Sequence, residues 1–217
     1  MPPDKRHSSD PSLYYITFTC RQWLPLFEVV NAYELVYNWF NYLKANHSIK
    51  TTSYVVMPNH VHCILFFPNG NYDLSKIIAN GKRFIAYEIV RRLEQKGCNN
   101  ILMLLKEGVS EKQPGKGQRH KVFEESFDAK PVYHRKFPEQ KINYIHLNPV
   151  RGKWRLVEHW EDYEHSSAGY YVKNKAKELP QFILKNCRST SNEEARFPSP
   201  THRAMKENLA GQPRDFG

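Results

Sequence analysis

Cysteine is scarce here: four residues in 217 (Cys20, Cys63, Cys98 and Cys187), far apart and without a CxxC pair. Neither a zinc ribbon nor a disulfide scaffold is indicated. No stretch approaches the roughly 20 apolar residues that would cross a bilayer. Behind the opening Met1-Pro2-Pro3-Asp4-Lys5-Arg6 there is no apolar core of the signal-peptide kind. No internal repeat is visible. These absences lead us to expect a soluble protein of a reducing, intracellular compartment.

Acidic side chains are outnumbered. Lys and Arg total 32 against 22 Asp and Glu, which gives a net charge of +10 and a pI near 9.4. Such an excess suits a polyanionic partner, nucleic acid or an anionic membrane surface. Hydrophobic residues make up 40% of the chain and aromatics 13%, enough for a core despite a mean hydropathy of -0.69. The length fits one domain with tails. Residues 1–12 are polar and proline-rich and are expected to be disordered, as is the Ser-, Pro-, Asn- and Arg-rich tail over 185–217, leaving one domain over 13–184.

Within that domain the aromatic and β-branched residues 13–20 predict a first strand. Apolar residues at Ala32, Leu35, Val36, Trp39, Phe40 and Leu43 predict a helix over 31–45 with Asn31 as its cap. The long apolar run 51–67 reads as one buried strand, and 74–96 as a second helix ended by Gly97. Ile101 to Leu105 is a short apolar run, followed by a polar, basic loop over 106–121. Residues 122–127 and 131–134 are candidate strands, and Pro138 opens a third helix that Asn148-Pro149 closes. Residues 154–171, rich in Trp, Tyr and His, are expected to pack over the core. This order predicts an α+β fold, a mostly antiparallel sheet covered by helices in a ferredoxin-like or split βαβ arrangement.

Two stretches carry chemistry. In Met57-Pro58-Asn59-His60-Val61-His62 the two histidines lie one residue apart in a strand, so they share a face about 7 Å apart. Such a pair can hold one metal ion, or each histidine can simply bond to its neighbours. In Lys141-Ile142-Asn143-Tyr144-Ile145-His146-Leu147-Asn148-Pro149-Val150-Arg151, Tyr144 and Asn148 are four apart and share a helical face. His146 points elsewhere and is assigned a structural or DNA-contact role.

Together with the opening strand and with Trp160-Glu161-Asp162-Tyr163-Glu164-His165-Ser166-Ser167, these blocks closely resemble the single-tyrosine HUH transposases, in particular the REP-associated tyrosine transposases. The resemblance spans residues 13–171. It implies an HUH nuclease fold, an antiparallel RRM-like sheet with helices, in which His60, His62 and Asn148 bind a divalent metal ion, Mg²⁺ or Mn²⁺. It implies Tyr144 as the nucleophile of a single-stranded DNA endonuclease and strand transferase acting at hairpin repeats through a 5′-phosphotyrosine link. A monomer or homodimer, cytoplasmic and nucleoid-associated, follows from the same likeness. Candidate phosphate contacts are Lys82, Arg83, Arg119, Lys121 and Arg151, and the positive charge predicts strong salt dependence of DNA binding. The alternatives are a domesticated, non-catalytic protein that recognises repeat hairpins, or a hydrolytic or RNA-processing nuclease. A membrane protein is not indicated.

Overall fold

Why one strand sits at the centre is plain from its sequence. His60–Phe67 (β3), HVHCILFF, is buried at every position, and a strand buried on both faces needs cover from both sides. The computed structural model describes residues 12–68, 72–109, 119–132, 136–152 and 154–173. Residues 1–11, the basic loop over 110–118 and the tail from 174 lie outside these, so the expectations placed on them are not addressed.

Ser12–Thr19 (β1) and Lys50–Val56 (β2) flank β3, and Asp128–Pro131 (β4) pairs with the far edge of β1. The order β2-β3-β1-β4 is antiparallel throughout. With a helix between β1 and β2 and another between β3 and β4, this is the ferredoxin-like arrangement predicted from the sequence. Tyr33–His47 (α2) and Leu74–Gln95 (α3) are those helices. Leu26–Val29 (α1) precedes them, and Asn99–Glu107 (α4) follows α3.

Alternation along β3 divides the core in two. Val61, Cys63, Leu65 and Phe67 pack with Val36, Phe40, Leu43, Ile78, Ile85 and Ile89 of α2 and α3. Ile64 and Phe66 face the other way, into a smaller cluster with Leu13, Tyr15, Ile142, Ile145 and Tyr163. That second layer is built by Lys136–Leu147 (α5) and the segment after it. His165 to Ser167 run along the outer edge of β2: Val56 N–H donates to the His165 carbonyl, and Ser167 N–H to that of Tyr54. Trp154, Leu156, Val157 and Tyr163 close the same side, as expected for 154–171.

Three expectations need correction. The run 51–67 is not one strand but two, folded back at Met57-Pro58-Asn59, where Met57 N–H donates to the His60 carbonyl at 2.8 Å. Apolar runs carry no period that separates one long strand from a buried hairpin; Pro58 and Asn59, both turn formers, held the signal. The apolar run 101–105, for which no element was predicted, lies inside helix α4, with Leu105 buried. In 122–127 only Phe123 bridges, to Cys20, and the ladder proper begins at Asp128. The helix predicted from Asn31 begins at Tyr33, with Asn31 itself at φ 47° and no side-chain cap.

Candidate active site

The hairpin turn places His60 as the first residue of β3. Two backbone bonds pin the turn: Phe27 N–H donates to the Pro58 carbonyl at 3.0 Å, and Cys20 N–H to that of Asn59 at 2.8 Å. His60 and His62 then project from one face of β3 towards α5, with ring centroids 4.7 Å apart. Both are buried, at 7% and 6% exposure.

Each imidazole is oriented through its Nδ1. Asn59 is wholly buried; its amide donates to the Trp23 carbonyl at 3.2 Å, so its Oδ1 accepts from His60 Nδ1–H at 2.7 Å. That fixes the His60 tautomer and leaves the Nε2 lone pair aimed at Asn148, whose Oδ1 lies 3.3 Å away. Two acceptors facing each other at this distance are what a bound cation reconciles. His62 Nδ1 meets the hydroxyls of Thr17 at 2.7 Å and Tyr15 at 2.9 Å. Both can accept, so the tautomer suited to ligation keeps the proton on Nδ1 and the lone pair on Nε2. Burial pushes the His60 imidazole down to about 4, partly offset by Asn148. His62 is also pushed well below the usual histidine value, by burial first and then by His60 and Lys141. Neutral imidazoles are the ligating form. Among the described residues no group of three or more His, Cys, Asp or Glu converges as a metal site. Beside the two imidazoles the Asn148 amide oxygen is a third candidate donor, 3.3 Å from His60 Nε2. Two imidazoles and one amide oxygen fit a divalent cation that fills its other positions with substrate and water.

Tyr144 projects from α5 over this pair. Its ring is edge-on to His62 at 5.3 Å and to Tyr15 at 6.4 Å, and the residue is 40% exposed. The tyrosine is thus held by aromatic contacts yet open to a large ligand. Asn148 follows one turn later, at the start of the 3₁₀ turn Asn148–Val150. Trp23, 59% exposed, stands edge-on to His60 at 5.7 Å and forms a wall on the other side.

Against solved structures, the chain aligns with a REP-associated tyrosine transposase bound to a REP hairpin over 92% of its length and 96% of that chain, with a TM-score of 0.58 and 17% identity. The chain has the fold of a REP-associated tyrosine transposase. A candidate transposase from Deinococcus radiodurans R1 aligns over 67% of the chain and 95% of its own, at a TM-score of 0.39 and 16% identity, too distant for inference. No protein-family model and no curated protein matches the chain.

On this transposase-like scaffold the four sequence-predicted residues His60, His62, Tyr144 and Asn148 come together. The predicted DNA contacts scatter. Arg151 adjoins the site through its main chain, its N–H donating to the Asn148 carbonyl at 3.2 Å, and burial pushes its guanidinium down, an effect the Tyr144 side chain opposes. Lys82 donates instead to the carbonyls of Glu124 and Glu125, at 2.6 and 3.3 Å. Lys121 pairs with Glu125 at 2.8 Å. Arg83 lies over the Phe84 ring on α3, and Arg119 is exposed. Asn59, Tyr15, Thr17 and Lys141 went unassigned in the sequence. The signal for Thr17 lies in the register, which sets it opposite His62. Lys141 was legible as the residue one helical turn before Tyr144.

Proposed function

We propose that the protein is a metal-dependent single-stranded DNA endonuclease and strand transferase, a transposase acting at hairpin repeats through a 5′-phosphotyrosine intermediate. The observation that carries this reading is the convergence of the exposed Tyr144 with His60, His62 and Asn148. The hairpin bound to the structural neighbour supports a hairpin as the DNA partner.

In this reading Tyr144 Oη attacks the scissile phosphorus. The new P–O bond forms as the P–O3′ bond breaks; the phenolic proton passes to water and the departing 3′ oxygen takes one up. The exchange of one phosphodiester for another conserves the bond energy, so rejoining needs no nucleotide triphosphate. His60, His62 and Asn148 would hold a divalent cation, Mg²⁺ or Mn²⁺, which when bound offsets charge on the phosphate and the leaving oxygen. Asn59, Thr17 and Tyr15 keep both imidazoles in the ligating tautomer. Tyr15 and His62 fix the Tyr144 ring, so the hydroxyl is delivered in one direction. Of the basic residues, Arg151 is suited to DNA at the site, and Arg83 and Arg119 to the flanking backbone. Binding should weaken steeply as salt is raised.

The test is incubation with single-stranded hairpin DNA from the flanks of the protein's own gene, with Mg²⁺ or Mn²⁺ and with EDTA. A metal-dependent nick with a free 3′-OH is expected. Tight binding without a nick under any metal would leave a DNA-binding module in its place.

A further inference from the structure

The turn Arg21–Trp23 ends on two consecutive residues with left-handed backbone, Gln22 at φ 50° and Trp23 at φ 58°. That conformation crowds a Cβ against the following carbonyl oxygen, so Gly and Asn take such positions and bulky side chains rarely do. Hydrogen bonds hold the chain there. Trp23 N–H donates to the Cys20 carbonyl at 3.1 Å, Leu24 N–H to that of Arg21 at 3.0 Å, and Gln22 N–H to Glu124 Oε1 at 2.9 Å. The Trp23 carbonyl accepts from the buried Asn59 amide at 3.2 Å. The main chain is thus fixed on both sides of the indole, and the direction in which the side chain leaves it is fixed too.

Burial does not offset this strain, because Trp23 is 59% exposed. Among the described residues its one ring partner is His60, at 5.7 Å and inclined by 72°. From there the ring contacts step to His62 at 4.7 Å and on to Tyr144 at 5.3 Å. Trp23 and Tyr144 therefore stand at the two ends of one chain of ring contacts, with the histidine pair between them. A strand whose phosphate reaches Tyr144 over the histidines brings the base of an adjoining nucleotide towards the open indole.

A purely structural role explains the side chain poorly. The main-chain bonds of the turn need no indole, and Asn would meet the same backbone geometry with less strain. Every base has a flat face, and single strands are commonly held by stacking on aromatic side chains. A fixed indole also avoids the ordering cost that a mobile side chain incurs on binding.

We propose that Trp23 is a stacking platform for an unpaired base of the DNA strand, the base next to the phosphate that Tyr144 attacks. It positions the strand across the histidine pair and takes no part in the bond exchange. The proposal rests on the reading given under Proposed function for its DNA and deepens it by naming where that strand is gripped.

Binding is read by fluorescence anisotropy with full-length protein and a labelled DNA hairpin carrying a single-stranded extension, in EDTA so that no strand is cut. One abasic residue is moved stepwise along the extension. In the wild type it should raise Kd by about 5- to 100-fold at one position. Trp23→Asn should already bind the intact DNA about that much more weakly, and there the abasic residue should change Kd by no more than about twofold. Trp23→Phe should keep part of the penalty. The urea midpoint of Trp23→Asn should match or exceed that of the wild type, which loss of a structural side chain would not give. Trp23→Ala serves if the Asn variant misfolds. The nick made with Mn²⁺ is then mapped on intact DNA, and the coupled base should adjoin it. An abasic penalty equal in the wild type and the Trp23 variants at every position overturns the platform, whether or not the DNA is cut. A penalty that depends on Trp23, in a wild type that never cuts, upholds the platform and removes the endonuclease reading. A coupled base remote from the nick would make Trp23 a general strand contact and overturn its place beside the reacting phosphate.

Discussion

Asn59 links the exposed Trp23 to the buried His60. Its amide donates to Trp23, which frees only the oxygen to accept from His60 Nδ1–H. The direction of one amide therefore decides which nitrogen of His60 faces Asn148. Replacing Asn59 with Ala removes the acceptor without touching a proposed ligand. Hydrogen-bond partners of metal-binding histidines typically matter by 10- to 100-fold in affinity, so at the proposed metal site Mn²⁺ affinity measured by calorimetry should drop by about that much in Asn59→Ala. Unchanged affinity would mean that the His60 tautomer is set elsewhere. His60, His62, Tyr144 and Asn148 were legible in the sequence because strand and helix periods put each pair on one face and the motifs around them resemble those of the single-tyrosine HUH transposases. Asn59, Tyr15 and Thr17 were not, because their roles depend on a turn and on the register between strands distant in sequence.

Among the elements, the β2–β3 hairpin was hidden by its own hydrophobicity. Val55-Val56-Met57 and Val61 to Phe67 flank the turn with buried residues, so only Pro58-Asn59 marks the reversal. The consequence is functional: a single long strand would have left His60 in mid-sheet, whereas the turn brings it to the strand end beside Trp23 and Asn148. On the opposite face, α2 and α3 approach closely at Gly81, where an added Cβ would lie 2.5 Å from the Trp39 indole. Ala in place of Gly gains up to about 1 kcal/mol of helix propensity. Overpacking against a ring held at 7% exposure costs about 1 to 3 kcal/mol. The clash should win, and Gly81→Ala should lower the urea midpoint. A raised midpoint would show that Trp39 can move aside. This loss should leave metal affinity unchanged, because the helix pair lies across the sheet from the histidines.

Across the whole molecule, several buried histidines make stability depend on pH in a defined direction. His146, which the sequence set apart from catalysis, is 1% exposed. Its Nε2 lies 2.9 Å from the Ser167 hydroxyl and 3.3 Å from that of Ser53, tying α5 to β2 and to the segment along its edge. Its ring stacks on Trp160 at 5.8 Å. Burial pushes its value down to about 3, against about 6.5 in an unfolded chain. The unfolded state therefore takes up the proton first, and stability is lost as pH falls from about 6.5 towards 3. Denaturant midpoints should decline between pH 7 and pH 5, and the decline should be shallower in His146→Gln, which is also less stable at pH 7. A midpoint flat over that range would contradict the buried neutral state. Among the described residues no helix is long and apolar enough to cross a membrane, and part of the positive charge is spent within the fold: Arg92 bonds Glu34 and Glu88, Lys121 bonds Glu125, and Lys82 bonds main-chain carbonyls.

The central claim is that Tyr144 becomes covalently linked to DNA. Peptide mapping by mass spectrometry of a denaturation-resistant adduct, formed on hairpin DNA with Mn²⁺, tests it most directly. A 5′-phosphonucleotide is expected on the peptide that contains Tyr144, absent with EDTA and absent in Tyr144→Phe. A nucleotide on any other side chain, or metal-dependent cleavage that persists in Tyr144→Phe, would contradict it.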